Sequence, residues 1–423
     1  MEKRQNEQQH YDAGWNSKRS KNDVNKKQNE VFKVLPTERF CSKFPYFRKP
    51  LEIGAFSLNA ERKFHKDRSE LKHYIEPQNC KRVNFDLRIG YKSMIRKNDE
   101  IKEYLDDLLR WISLSKDKFV LPNAKMEEKT RSSLQEPSSS LRQLNTDFVS
   151  WRGLLTKLLC TPFESRDGWM VAVCLYNGTY YMCEYDTEAR KLQKQNTTER
   201  LDEMSCWGWK FEQYLTADKP GGIPDTKPPV NNNEAFCTVV RSRLNSHSLV
   251  YGGEVDALLP DFSSGNKYVE FKTTRDIENE RQDQNFRRFK LIKWWAQSFL
   301  VGIEKIVAGY RDDDGVVHRL ETLETMRIPE TVKHIRYHWN PAVCFNFVDQ
   351  FLSFVKKTVI EDNPKIVYVF EWEPNGDVRW RETRDSAFHF LPDWYINEQQ
   401  NMMNIQRVSE QQLNPPVGDT TDR

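Results

Sequence analysis

The sequence predicts a mixed α/β protein, in which strands and helices follow one another without strict alternation. Three observations predict it. Alternating runs flank short turn signals, as in Trp169–Tyr176 and Thr179–Tyr185 around Asn177-Gly178. Helical spacing of apolar residues recurs at 100–114, 203–215, 285–301 and 342–357. The 24 Phe, 16 Tyr and 12 Trp supply large burial units, although apolar residues make up only 38% of the chain.

In chain order, residues 1–36 are rich in Gln, Asn, Lys and Glu and are predicted to be a disordered tail, because they bury too little to offset ordering entropy. Within them Lys18, Arg19, Lys21, Lys26 and Lys27 form a loose basic cluster, readable as a nuclear import signal or as a solvated tail. The helix over 100–114 comes next, and Pro137, Ser139 and Ser140 mark 129–142 as a loop. The 169–185 hairpin leads to the helix over 203–215 and then to a Pro, Gly and Asn-rich loop over 219–233. Strand-like runs follow at 235–243, 248–258 and 267–273. The helix over 285–301 holds Trp294 and Trp295, both expected in the core. A strand at 304–311 ends in the turn Asp312-Asp313-Asp314-Gly315. The helix over 342–357 and a hairpin at Pro374-Asn375-Gly376 complete the core. Residues 399–423 read as a second tail, leaving one domain over 37–398.

Charge and composition exclude several classes. The 65 Lys and Arg stand against 62 Asp and Glu, so a net charge of +3 excludes a histone-like polycation. No apolar run is long enough to span a membrane. The first residues stay polar, without a signal-peptide core. The eight cysteines lack Cys-x-x-Cys spacing and read as free thiols in a reducing compartment. His334 and His338 are four apart, yet two histidines alone are better read as ordinary surface groups than as a zinc site.

Three acidic pieces carry the chemistry. Glu254-Val255-Asp256 ends one strand-like run, and Glu270-Phe271-Lys272 lies on the next. Residues two apart on a strand share a face, so Glu254 and Asp256 point together, as do Glu270 and Lys272, while Phe271 faces the core. Glu212 follows Gly208-Trp209-Lys210-Phe211 on a helix. Each piece alone has an ordinary explanation, a solvated strand face, because acid-x-acid pairs recur by chance in a chain this acidic. Together they form an ordered set: helical Glu, Glu-x-Asp, Glu-x-Lys, then a helix bearing Gln297. Ionised carboxylates at about 4 Å repel by about 4 kcal/mol per pair at an intermediate dielectric. Such a cluster stays charged only around cations, and oxygen ligands suit Mg²⁺ or Mn²⁺. Two such ions, the number expected here, drive phosphodiester hydrolysis. The ordering resembles the active-site pattern of the PD-(D/E)xK nuclease superfold.

The flanking residues narrow the resemblance. Trp151-Arg152-Gly153, Gly208 to Glu212, Gly253 to Asp256, Glu270 to Lys272 and Lys293 to Phe299 are similar, in order, to the motif series of the DXO decapping exoribonuclease family. Phe56 to Arg62, Asn84 to Arg88 and Ala235-Phe236-Cys237 agree, and the resemblance runs from about residue 44 to 396. It implies two mostly mixed β-sheets flanked by helices, with the site in a pocket between them. It implies a hydrolase that removes incomplete, atypical or NAD caps from RNA, releases pyrophosphate from 5′-triphosphate ends, and digests RNA 5′ to 3′. By motif position, Glu212, Glu254, Asp256, Glu270 and the Phe271 carbonyl become metal ligands, with Lys272 catalytic. Arg62, Glu103, Trp151, Arg152, Gly153, Cys237, Glu254, Lys272 and Gln297 become substrate contacts. A non-enzymatic alternative, binding and stabilising a nuclear 5′-to-3′ exoribonuclease, also follows from the resemblance, as does a place in the nucleus. A DNA nuclease of the same superfold is a third reading.

Overall fold

The computed structural model describes residues 30–119, 144–260 and 267–401. The expected loop at 129–142, the basic cluster at Lys18–Lys27 and most of both expected tails lie outside them.

The strands, in chain order, are β1 (Leu51–Leu58), β2 (Phe64–His65), β3 (His73–Tyr74), β4 (Phe85–Asp86), β5 (Phe148–Trp151), β6 (Trp169–Tyr176), β7 (Thr179–Tyr185), β8 (Thr216–Ala217), β9 (Ala235–Leu244), β10 (His247–Glu254), β11 (Ala257–Leu258), β12 (Tyr268–Arg275), β13 (Lys305–Arg311), β14 (Val316–Glu324), β15 (Val367–Trp372) and β16 (Arg379–Thr383). The helices that matter here are α1 (Asp106–Ser113), α2 (Arg152–Cys160), α3 (Glu188–Gln195), α4 (Glu199–Leu215), α5 (Glu280–Asn285), α6 (Leu291–Val301), α7 (Ile328–Val332), α8 (Pro341–Thr358) and a last one, α9, over 393–401.

Two mixed sheets organise the described residues. Nine strands run in the order β16-β15-β6-β7-β5-β10-β9-β1-β2, and seven in the order β4-β14-β13-β12-β11-β3-β8. In the first sheet β5 lies parallel to both β7 and β10. In the second, β12 and β13 are parallel, as are β3 and β11. The hairpins expected at Asn177-Gly178 and Pro374-Asn375-Gly376 both form, with Asn177 and Asn375 at positive φ.

Apolar residues on both faces of a strand require cover on both sides. On β6, Val171 and Val173 join the central core, whose members include Leu155 and Leu158 of α2, Trp295 of α6 and Phe351 of α8. Ala172, Cys174 and Tyr176 point the other way, to a layer closed by Trp111 of α1 and Tyr395 of α9. The second sheet repeats the device. Tyr268, Ile306 and Ala308 face the central core, while Val269, Phe271 and Val307 pack under Trp207, Phe211 and Leu215 of α4. Trp294 and Trp295 are buried, as the sequence predicts.

The disordered N-terminal tail expected over 1–36 needs correction at its end. Phe32 and Val34 are 7% and 1% exposed. They lie two apart on an extended segment, so both face inward. Phe32 meets Phe347 edge-on at 5.6 Å and forms a bridge to Val378. At the other end, Gln399 is buried on α9, so the folded unit runs past 398.

One buried acid ties β5, β10 and α8 together. Asp147 is 6% exposed and accepts the Ser248 N–H at 2.7 Å and its hydroxyl at 2.9 Å, with Lys356 Nζ at 3.2 Å. Burial opposes its charge, but these donors outweigh burial and hold the carboxyl at about 2. A depressed carboxyl contributes stability above its unfolded value, near 4, that fades as the pH falls toward its folded value. Asp147→Asn is expected to cost about 2 kcal/mol near neutrality. Urea melts at pH 7 and at pH 3 check this, the gap between the two proteins narrowing at the lower pH.

Candidate active site

The strand-like run 248–258 is two strands, not one. β10 belongs to the nine-stranded sheet and β11 to the seven-stranded one. The chain crosses between them through Val255 and Asp256 alone. Val255 is buried and its N–H donates to the Phe236 carbonyl at 3.1 Å, which anchors the crossing. β11 is only two apolar residues, Ala257-Leu258, too short for periodicity to reveal a change of sheet. Glu254 and Asp256 therefore do not share a strand face; they flank the passage from one sheet to the other.

Asp256 then meets the next strand. β11 and β12 pair antiparallel, as the fourteen-residue separation of Asp256 and Glu270 suggests. The Phe271 N–H donates to Asp256 Oδ2 at 2.6 Å. Its ring packs with Phe211 on the far side, at a centroid distance of 6.3 Å. Glu270, only 1% exposed, shares its face with Lys272, and Lys272 Nζ lies 2.6 Å from Glu270 Oε1. Arg152 Nη1 reaches the other oxygen, Glu270 Oε2, at 3.3 Å. Because β5 hands Arg152 directly to α2, this ion pair joins the first sheet to the second. Gly253 makes it possible, since a methyl group there would press on the Arg152 side chain at 3.1 Å.

The fourth acid, Glu212, comes from α4, which packs on β12. Burial raises its carboxyl well above the usual range, Asp256 adds to that rise, and Glu270 and Glu254 contribute, with Lys272 opposing them. Asp256 is pushed up to about 7 by burial and by Glu270, against Lys272 and the Phe271 N–H. Glu270 moves down: burial is outweighed by Lys272 and Arg152. Lys272 is correspondingly raised, Glu270 and Asp256 overcoming its burial. The four acids thus share one electrostatic neighbourhood. Among the described residues, no three His, Cys, Asp or Glu groups converge with metal-ligand geometry.

The position of α4 rests on close packing. A methyl group at Gly309 of β13 would lie 2.6 Å from the Phe211 ring, next to Glu212. Gly309→Ala is expected to displace α4 and to cost about 1–3 kcal/mol. Thermal melts would register the loss, and a matching fall in any activity would report Glu212 out of place.

Two cavities flank the cluster. The larger, of about 1590 Å³, is lined by Arg62, Glu103, Trp151, Arg152, Gly153, Cys237 and Glu254, all singled out from the sequence. Arg62 grips Glu103 through two bonds of 2.9 Å, Nε to Oε1 and Nη2 to Oε2. Lys97 Nζ adds a third contact to Oε2 at 2.5 Å. Glu103 is therefore clamped, and it precedes α1 instead of lying inside the helix expected over 100–114. Cys237 sits opposite Glu254 in the β9–β10 register. Trp151 donates its indole N–H to the Tyr104 carbonyl at 2.7 Å. The Arg152 Nε is buried with no hydrogen-bond partner among the described residues, so a buried donor stands ready for an anion. Gln297 lies apart from this group. It lines the smaller cavity, of about 740 Å³, together with Lys293. Gly153 borders both cavities. Glu212, Asp256, Glu270 and Lys272 are not among the lining of either; Arg152 and Glu254 connect them to the larger one.

Sequence reasoning missed Lys97 and Lys293. Lys293 had a signal, its spacing of four from Gln297 on one helix. Lys97 had none, because it meets Glu103 only through the fold. The eight cysteines are all free thiols, as expected. No described helix is long and apolar enough to cross a membrane.

Two mixed sheets with acids at their junction, Glu-x-Lys on the second strand and a flanking Glu-bearing helix define a nuclease core of the PD-(D/E)XK kind. The chain belongs to the RAI1-like PD-(D/E)XK nuclease family, whose pattern it matches over residues 48–396. It is 41% identical to the mouse (Mus musculus) decapping and exoribonuclease protein over 90% of this chain and 94% of that one. It is 42% identical to the human (Homo sapiens) protein of the same name, over 86% of this chain and 89% of that one. Among solved structures, Candida albicans Rai1 in complex with pU5 and Mn²⁺ aligns with a TM-score of 0.70 at 24% identity, covering 88% of this chain and all of that one.

Proposed function

We propose that this protein is a divalent-metal-dependent hydrolase of RNA 5′ ends. In this reading it removes incomplete, atypical or NAD caps, releases pyrophosphate from 5′-triphosphate RNA, and degrades RNA 5′ to 3′. The observation that carries the proposal is the gathering of Glu212, Glu254, Asp256 and Glu270 beside Lys272 and Arg152, next to a cavity large enough for a nucleotide. The names of the mouse and human relatives support RNA decapping and exoribonuclease activity.

The chemistry of the donors, all oxygens and mostly carboxylates, suits a hard cation, although their spacing here is not that of a closed ligand shell. Among the described residues, the Glu212 and Glu254 carboxylates have no hydrogen-bond or ion-pair partner, and Asp256 keeps one oxygen clear of the Phe271 N–H. Glu212, Glu254, Asp256, Glu270 and the Phe271 carbonyl would hold Mg²⁺ or Mn²⁺, with two ions expected. When bound, such cations supply water activation and neutralise phosphoryl charge. The protein's own groups do the rest. Arg152 aims its unpartnered Nε at a phosphate. Lys272, held by Glu270, sits where it can orient an attacking water or a phosphate oxygen. The Arg62–Glu103–Lys97 clamp fixes polar groups on the cavity wall, with Trp151, Gly153 and Cys237 shaping it. Gln297 offers an amide to a phosphate or sugar from the neighbouring cavity.

The test is turnover by the purified full chain of RNAs ending in a monophosphate, a triphosphate, an NAD cap, an unmethylated cap and a methylated cap. Products are separated by chromatography, with Mn²⁺ or Mg²⁺ present or chelated. Metal-dependent release of caps, pyrophosphate or 5′ nucleotides is expected. Inertness toward every RNA would refute the reading, and equal cleavage of DNA would favour the DNA-nuclease alternative.

The reading extends to a nuclear place and to a protein partner, a 5′-to-3′ exoribonuclease of the nucleus. The support is the family resemblance and the basic cluster Lys18–Lys27. Fractionation of cells, and a pulldown with the exoribonuclease, test these two points.

A further inference from the structure

From the smaller cavity, a chain of alternating arginines and aromatic rings leads outward over the surface. Arg166, which lines that cavity, lies over the Phe289 ring at 5.6 Å. Arg288 lies 4.9 Å from the Phe289 centroid and 5.3 Å from that of Tyr337. Arg336 closes it, 4.7 Å from Tyr337. The order is thus Arg166, Phe289, Arg288, Tyr337, Arg336.

Four features set this ladder apart from scattered surface charge. None of the three arginines has an ion-pair partner among the described residues, although elsewhere on this surface such pairs are common. Tyr337 is 62% exposed and adopts φ 60°, a region that bulky residues occupy only at a cost. Phe289 and Arg288 belong to a π-helical turn, Phe286–Lys290, between α5 and α6, which re-aims side chains relative to a continuous α-helix. Finally, Lys293 and Gln297 lie four apart on α6, directly after that turn, and line the same cavity as Arg166, which connects the ladder to the predicted substrate contact. Acids also lie near. Glu164 holds Lys293 at 2.8 Å, Asp283 pairs with Arg287 at 2.7 Å, and Asp167 lines the cavity beside Arg166, yet among the described residues none of these acids forms an ion pair with a ladder arginine.

Cations that track a phosphate backbone, interleaved with rings on which bases stack, are what sequence-independent binding of single strands requires. We propose that the ladder Arg166–Phe289–Arg288–Tyr337–Arg336 is a binding track for the single-stranded RNA body lying beyond the nucleotides at the catalytic cluster. The proposal rests on the RNA 5′-end reading above and adds the region that would favour long substrates over short ones. An acidic protein segment is the competing occupant. Rings spaced between the arginines favour bases over carboxylates.

The test compares 5′-monophosphate RNAs of about three and about twenty nucleotides, the shorter falling below the roughly 4–16 nucleotides that an extended single-strand site covers. Binding is read by fluorescence anisotropy with the metal chelated, and kcat/KM is read separately with Mn²⁺. The unaltered protein should favour the long RNA. Phe289→Ala with Tyr337→Ala should weaken long-RNA binding by about tenfold per ring and remove the length preference, and Tyr337→Trp should keep it. Arg288→Glu with Arg336→Glu should flatten the salt dependence of long-RNA binding by about 0.7 per lost phosphate contact. Equal losses on both lengths, or no loss on either, would overturn the track. The second result would pass the surface to the protein-segment reading. Failure of the underlying function is distinguishable: the unaltered protein would then turn over neither RNA with Mn²⁺, whereas failure of the track leaves turnover in place.

Discussion

Replacing Glu254 and Asp256 together by alanine is expected to reduce RNA turnover by about a thousandfold or more, the scale of losing preorganised charge stabilisation at a reacting phosphate. Glu254 ends β10 exposed and, among the described residues, without a hydrogen-bond or ion-pair partner, so its loss leaves the fold unburdened. Asp256 differs, because it accepts the Phe271 N–H at 2.6 Å. Truncating it orphans that donor at a cost of about 1–3 kcal/mol. Asp256→Asn separates the two effects, since an amide oxygen can still accept the bond while the charge is gone. The measurement is single-turnover hydrolysis of triphosphate and NAD-capped RNA with Mn²⁺, alongside a thermal melt. Undiminished turnover in a correctly folded double variant would overturn the assignment of the reaction to these two acids.

Glu212→Gln is expected to do two opposite things. It should abolish turnover, and it should raise the stability of the protein kept in chelator. Its carboxyl is pushed up by burial and by Asp256, Glu270 and Glu254. An acid raised in the folded state is favourable while protonated and loses that contribution as the pH rises through its folded value. The wild type should therefore weaken relative to Glu212→Gln as the pH climbs from 5 to 8, the sign opposite to that of Asp147. A gain of about 1 kcal/mol would raise the melting temperature by about 2 °C in a domain of this size. Added Mn²⁺ should stabilise the wild type by mass action and the variant less. Melts across pH in EDTA and in Mn²⁺ decide it; a variant that is less stable in EDTA would count against charge crowding at this site.

Most secondary structure was legible because its signals are local. Asn177-Gly178 can take the positive φ that a tight hairpin requires, and Asn340 before Pro341 opens α8 by accepting the Ala342 N–H. The ordered acids on 212, 254, 256 and 270 were legible as a set because strand and helix geometry limit where each can point. The change of sheet at Val255 was not, since β11 has only two residues and carries no pattern of its own. Phe32 and Val34 stand in the short apolar run Val31-Phe32-Lys33-Val34-Leu35, but it closes a long polar stretch and is too brief to outweigh that composition. Glu103 was misplaced in a helix because its partners, Arg62 and Lys97, lie elsewhere in the chain. The Arg–aromatic ladder was invisible for the same reason, its members coming from three separate stretches.

The crossing at Val255-Asp256, together with the Arg152–Glu270 pair, makes the acids a gauge of alignment between two slabs. Sliding one slab past the other by a fraction of an ångström would alter acid-to-acid spacing at once, long before either slab lost its ladders. Heat inactivation should accordingly precede melting, and substitutions that loosen the α2–α6–α8 filling, such as Phe345→Ala, should lower the temperature at which turnover fails more than the temperature at which the chain unfolds.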